Sequence, residues 1–118
     1  MMKVALVVLA DNEAHEGLGR VVNAMVAAKE MVDAGDEVRL IFDGGGTVWP
    51  GELSKDDHQA HQLWESIHDA VHGACSFCAD AFEATDGVKE AGVTLLDEYK
   101  RHPSFRTLLA EDYHVITF

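Results

Sequence analysis

Two short apolar runs, Val4 to Leu9 and Val38 to Phe42, constrain this chain more than anything else in it. The first, "VALVVL", is apolar at consecutive rather than alternate positions, the pattern of a strand covered on both faces in a parallel sheet. Between the runs, apolar residues recur at helical spacing as Leu18, Val21, Val22, Met25, Val26 and Val32, and "AG" at 34 to 35 supplies a stop. This is a βαβ unit, with a helix of four to five turns.

The rest of the chain continues the alternation. "DGGGTVWPG" follows the second strand as a glycine-rich loop. A helix is expected from about 55 to 67, opened by Ser54 with Asp57 three residues on and carrying Leu63, Trp64 and Ile67 on one face. Residues 69 to 74 read either as its extension or as a short third strand, and Gly73 favours the strand. "SFCADAFEAT" then reads as a helix, with a shorter one from Val88 to Ala91, a fourth strand within "GVTLL" at 92 to 96, a helix opened by His102 and Pro103, and a closing strand in "YHVITF". The alternation predicts an α/β sandwich around a largely parallel sheet, with residues 1–118 forming a single domain. At this length folding removes roughly two-thirds of the unfolded chain's surface from water, enough for a core without staples.

In such sheets ligands and chemistry gather at the carboxyl ends of the strands. "DNEAHEG", "DGGGT" and "GACSFC" are the segments expected there. Composition narrows the partners. Twenty-one acidic against nine basic residues give a formal charge of -12, which argues against nucleic acid and anionic lipid. The apolar run near the start is too short for a signal peptide and no stretch is long enough to span a bilayer, so a cytoplasmic protein is expected.

Cys75 and Cys78 carry the strongest chemical signal. At the mouth of the third strand, Cys75 would open a helix whose free amides and dipole favour a thiolate, with Cys78 one turn later on the same side. Disulfide exchange of the thioredoxin kind fits poorly, because the pair sits late in the chain. Metal binding is an alternative. His58, His61, His68, His72, Cys75 and Cys78 run at offsets of 3, 7, 4, 3 and 3, and His68, His72, Cys75 and Cys78 would suit zinc if the helix ran unbroken. A third reading makes both cysteines ordinary core, packed with Phe77 and Phe82.

A fourth reading comes from resemblance. "KVALVV", the long helix ending in "AAKEMVDAGDEVRLIFDG", the "CSFCADA" segment and the closing "YHVITF" resemble the DsrE/DsrF-like family, including its YchN-like members, over nearly the whole chain. The Arg-Gly pair common after the cysteine in relay members is replaced here by "ATDGV". The resemblance implies a flavodoxin-like five-stranded sandwich, a homo-oligomer, and a cysteine that carries sulfur as a persulfide, with Cys75 or Cys78 as carrier. Sulfur would pass from a donor to an acceptor protein by thiolate exchange, with no cofactor. His15, in the loop after the first strand, is the candidate proton donor beside the thiolate. The neighbouring Glu13 and Glu16 would raise a thiol's pKa. Trp49 is either an interface anchor or a loop plug.

Overall fold

The computed structural model describes all 118 residues and contains five strands and six α-helices. The strands are β1 (Lys3–Val8), β2 (Glu37–Phe42), β3 (Val71–Cys75), β4 (Leu95–Leu96) and β5 (His114–Thr117). The helices are α1 (His15–Asp33), α2 (Trp49–Leu53), α3 (His61–Ile67), α4 (Ser76–Ala81), α5 (Thr85–Glu90) and α6 (Phe105–Ala110). All strand pairs are parallel, in the order β4-β3-β2-β1-β5. The fold class is the α/β sandwich expected. The strand order is its own variant, since the doubly wound order of flavodoxin itself is 2-1-3-4-5.

That order dictates how the two faces are clothed. Steps from β1 to β2, β3 and β4 all move the same way across the sheet, so right-handed crossovers place α1 to α5 on one face. The return from β4 to β5 passes behind three strands and puts α6 on the other. Even-numbered residues of β1 and β2, such as Leu6, Val8, Leu40 and Phe42, meet Met25, Leu53, Trp64, Ile67, Ala79 and Val88 in the main core. The odd set, Ala5, Val7 and Ile41, meets the smaller group of Leu96, Leu108 and Tyr113, with the half-buried Val115 packed against it. Both faces of β1 are thus covered, which is why its run is apolar throughout.

Several local expectations change. The helix expected from 55 begins at His61, because Ser54 terminates α2 instead of opening α3. Its polar successors close in tight turns, with the amides of Lys55, His58 and His61 each donating to the carbonyl three residues back. Residues 69 to 74 resolve into one 3-10 turn, His68–Ala70, followed by β3. The fourth strand shrinks to two residues and the last helix starts at Phe105 with Ser104 as its cap, leaving His102 and Pro103 in a loop. Trp49 is a plug: its ring is buried and Nε1 donates to the Ala10 carbonyl at 2.7 Å. No helix is long and apolar enough to cross a membrane.

Candidate functional site

The site forms where β2, β3 and β4 end. Asp43 directly follows β2; its amide donates to the Val8 carbonyl at 2.9 Å and its carboxylate accepts from the Gly44 amide at 2.8 Å. The glycines after it are not a slack loop. They wind into a 3-10 turn, Gly44–Val48, so close under β1 that a Cβ on Gly46 would collide with the Val8 carbonyl. Asp43 is therefore pinned at the sheet edge and 7% exposed.

Cys75 is the last residue of β3 and faces the side of the sheet that α6 covers, opposite Leu96. Its sulfur is buried, accepts from the Cys78 amide at 3.4 Å and lies 3.1 Å from Nδ1 of His102. Cys78, one turn along α4, is half-buried, and no disulfide joins the two. The expected thiolate at Cys75 is not what the surroundings favour. Burial pushes that thiol up to about 12, with Asp43 and Cys78 adding to the rise and only the Cys78 amide opposing it. Desolvation outweighs the dipole of a helix only six residues long.

His102 reaches the cysteines through an unusual turn. The amides and carbonyls of Tyr99 and His102 pair reciprocally at 2.9 and 2.8 Å, and the two residues between, Lys100 and Arg101, have φ of 48° and 68°. Positive φ at both central positions defines a type I′ turn, which ordinarily uses Asn-Gly. Two non-glycine residues held this way store strain of about 1–3 kcal/mol each. The surroundings hold the turn: the Arg101 carbonyl accepts from the Phe77 amide at 3.0 Å, its guanidinium reaches Asp80 at 3.6 Å, and the His102 ring packs on Phe77 with centroids 4.9 Å apart.

Ligand-type atoms of Asp43, Cys75, Cys78 and His102 consequently all lie within 4.8 Å of one another. A cavity of about 520 Å³ opens beside them, bounded by Asp43, His102, Tyr99, Phe105 and Arg106. The arrangement supplies two sulfurs of unequal access, an imidazole in contact with the buried one, and a carboxylate.

The other sequence candidates lie elsewhere. His15 opens α1 on the five-helix side and lines a separate cleft with Trp49, Glu52 and His58. His68 packs edge-on against Trp64, its Nε2 3.3 Å from the Ala91 carbonyl. His72 is on β3, where burial lowers its pKa, the Arg39 charge lowers it further and Glu98 opposes both. His58 and His61 are engaged by the Ala60 amide and the Leu53 carbonyl. The histidine stripe required one continuous helix, and a 3-10 turn and a strand divide it. The purely structural reading of the cysteine segment fits Cys75 but not Phe77 and Phe82, each 47% exposed.

Asp43 and His102 are the residues that sequence reasoning missed as site members. Asp43 carried a usable signal, the first position after a strand in "DGGGT". His102 carried less, because "HP" before an amphipathic run reads as a helix start.

No family model matches the chain. Over 116 residues it is 24% identical to an uncharacterized protein of Methanocaldococcus jannaschii, covering 98% of this chain and 94% of that protein. A solved structure, a conserved protein of unknown function from Bacteroides thetaiotaomicron, superposes with a TM-score of 0.63 at 13% identity, covering 97% of this chain and 94% of its own. That likeness establishes the fold.

Proposed function

We propose that this protein carries sulfane sulfur as a persulfide on Cys78, within the cysteine pair that ends β3 and opens α4. The observation that supports it is the pairing of a buried reduced cysteine, in contact with an imidazole, with a second reduced cysteine that solvent reaches. The resemblance to DsrE/DsrF-like proteins, carried by "CSFCADA", points the same way.

The exchange needs no external oxidant. Cys78 gives up its proton and attacks the outer sulfur of a donor persulfide, R–S–SH; the new S–S bond forms at Cys78 as the donor's S–S bond breaks. The donor leaves as R–S⁻ and takes up a proton, so a thiol and a persulfide become a thiol and a persulfide. His102 touches the Cys75 sulfur at 3.1 Å and has a ring nitrogen within 4.8 Å of the Cys78 sulfur, so it would relay that proton through one intervening group, the Cys75 thiol or a water. An acceptor thiolate from a partner protein then attacks the outer sulfur and restores Cys78. Such a carrier works in a reducing cytoplasm, where thiols stay free.

Self-association belongs to the same reading. Its support is the edge strand β5, whose outer side is unpaired and beside which apolar groups stand exposed on both faces, Ile116 of β5 on the five-helix side and Leu109 of α6 on the other. Light scattering on the purified protein is expected to give a mass above one chain; a monomer at micromolar concentration removes this part of the proposal. The carrier role is tested by incubating reduced protein with a sulfane donor, desalting, and measuring sulfide released by a dithiol. About one equivalent per chain is expected from a single carrier cysteine, and none overturns the reading.

A further inference from the structure

We propose that Asp43, Cys75, Cys78 and His102 together bind a thiophilic divalent cation of the zinc type. Each offers one ligand atom, and the four atoms lie within 4.8 Å of one another. Bonds of about 2.3 Å to sulfur and 2.0–2.2 Å to nitrogen and oxygen give a tetrahedron with edges of roughly 3.4–3.8 Å. An ion at the centre therefore requires the widest pairs to close by about 1 Å and the 3.1 Å contact between Cys75 and His102 to open by a few tenths of an ångström. The Cys-x-x-Cys spacing supplies two ligands from one turn, and the other two arrive from the end of β2 and from the turn in the loop between β4 and α6.

Charge and chemistry agree with that geometry. Asp43 is buried beside two sulfurs and takes part in no ion pair with a lysine, arginine or histidine. A buried carboxylate without a cation is costly, and a divalent ion supplies the missing charge while both thiols release their protons to the solvent. Two sulfur donors select against magnesium and calcium, which take oxygen, and with one imidazole and one carboxylate they suit tetrahedral zinc. The ligands are already oriented. The Gly44 amide holds the carboxylate, the Cys78 amide points at the Cys75 sulfur, and Phe77 fixes the imidazole plane. The set shares its cysteines with the sulfur-carrier reading but does not rest on it.

The test titrates the reduced, sulfur-free full chain with cobalt(II) as a spectroscopic probe. One equivalent is expected to give the intense ligand-field bands of tetrahedral cobalt together with thiolate charge transfer, displaced by zinc. Asp43→Asn, which keeps an acceptor for the Gly44 amide, His102→Ala and the half-buried Cys78→Ser are each expected to weaken binding by at least about 100-fold. His68→Ala and His72→Ala should leave it unchanged. Circular dichroism verifies that each variant is folded. An octahedral cobalt spectrum in the parent overturns the proposal, as does affinity unaltered in both Asp43→Asn and His102→Ala, or abolished by His72→Ala. Sulfide release measured on the same preparation separates the two readings, since cobalt uptake without sulfur loading sinks only the carrier and the reverse sinks only the metal site.

Discussion

The two faces of the sheet divide the work of the molecule. On one, five helices seal a large core in which Phe42 and Trp64 pack with ring centroids 5.9 Å apart and glycines let elements approach closely. On the other, a single short helix covers a small cluster, and Asp43, both cysteines and His102 gather at its margin beside an open cavity. The first face holds apolar groups that gain by exclusion of water. The second holds polar and ionisable groups that a thicker cover would desolvate further. The contrast teaches that the main apolar core and the cluster of ionisable side chains are segregated here by strand order, because the direction of each crossover decides which face its helix clothes.

The largest expected effect is on the thick face. Trp64→Ala should cost about 3–5 kcal/mol in urea denaturation, against a value near the low end of about 2–5 kcal/mol for Leu108→Ala on the thin face. Equal losses would break the contrast. Gly73→Ala comes next: the added Cβ would sit 2.6 Å from Cγ of Leu96 and 2.7 Å from the Thr94 carbonyl, forcing β4 outward at a cost of about 1–3 kcal/mol. Because β4 leads to the loop of His102, this variant should also lose sulfur loading or metal affinity, which a purely structural β4 would not show.

The thin face also sets a pH limit. In metal-free, reduced protein the folded pKa of Cys75 is raised, to about 12, above its unfolded value near 8.5. The contribution of Cys75 to stability is therefore fully present below about pH 8.5 and is lost as pH rises toward about 12. Denaturation midpoints of the parent should fall across that window and fall less steeply for Cys75→Ser. At neutral pH an alkylating reagent should modify Cys78 well before Cys75, and equal rates would mean the thin face does not bury its sulfur. The smallest effect is expected at the strained turn. Lys100→Gly relieves one positive φ, but the extra backbone freedom of glycine offsets about 0.5–1 kcal/mol of that strain, so a net gain of about 2 kcal/mol or less is expected, with a looser His102 visible as a drop in cobalt affinity in a protein that is no less stable.

Much of the sheet was legible in the sequence because strands covered on both faces are apolar at every position, as in "VALVV" and "LIF". The edge was not. β4 holds only two paired residues, and nothing local marks so short a strand. The helix expected from residue 55 failed for a related reason: serine and aspartate at capping distance also suit successive tight turns, and burial at Trp64 decides where the helix begins. The site divided along the same line. Cys75 and Cys78 announced themselves by spacing within a single turn, whereas Asp43 and His102 join them only through the parallel registry of β2, β3 and β4. Local spacing also led the metal reading to His68 and His72, neighbours of the cysteines along the chain that a 3-10 turn and the strand direct elsewhere.

The most direct test of the central claim is intact-protein mass spectrometry after incubation with a sulfane-sulfur donor, comparing the parent with Cys78→Ser and Cys75→Ser. The expected result is a gain of one reducible sulfur atom in the parent, none in Cys78→Ser, and a retained though slower gain in Cys75→Ser. A parent of unchanged mass, or a gain that persists in Cys78→Ser, would contradict it.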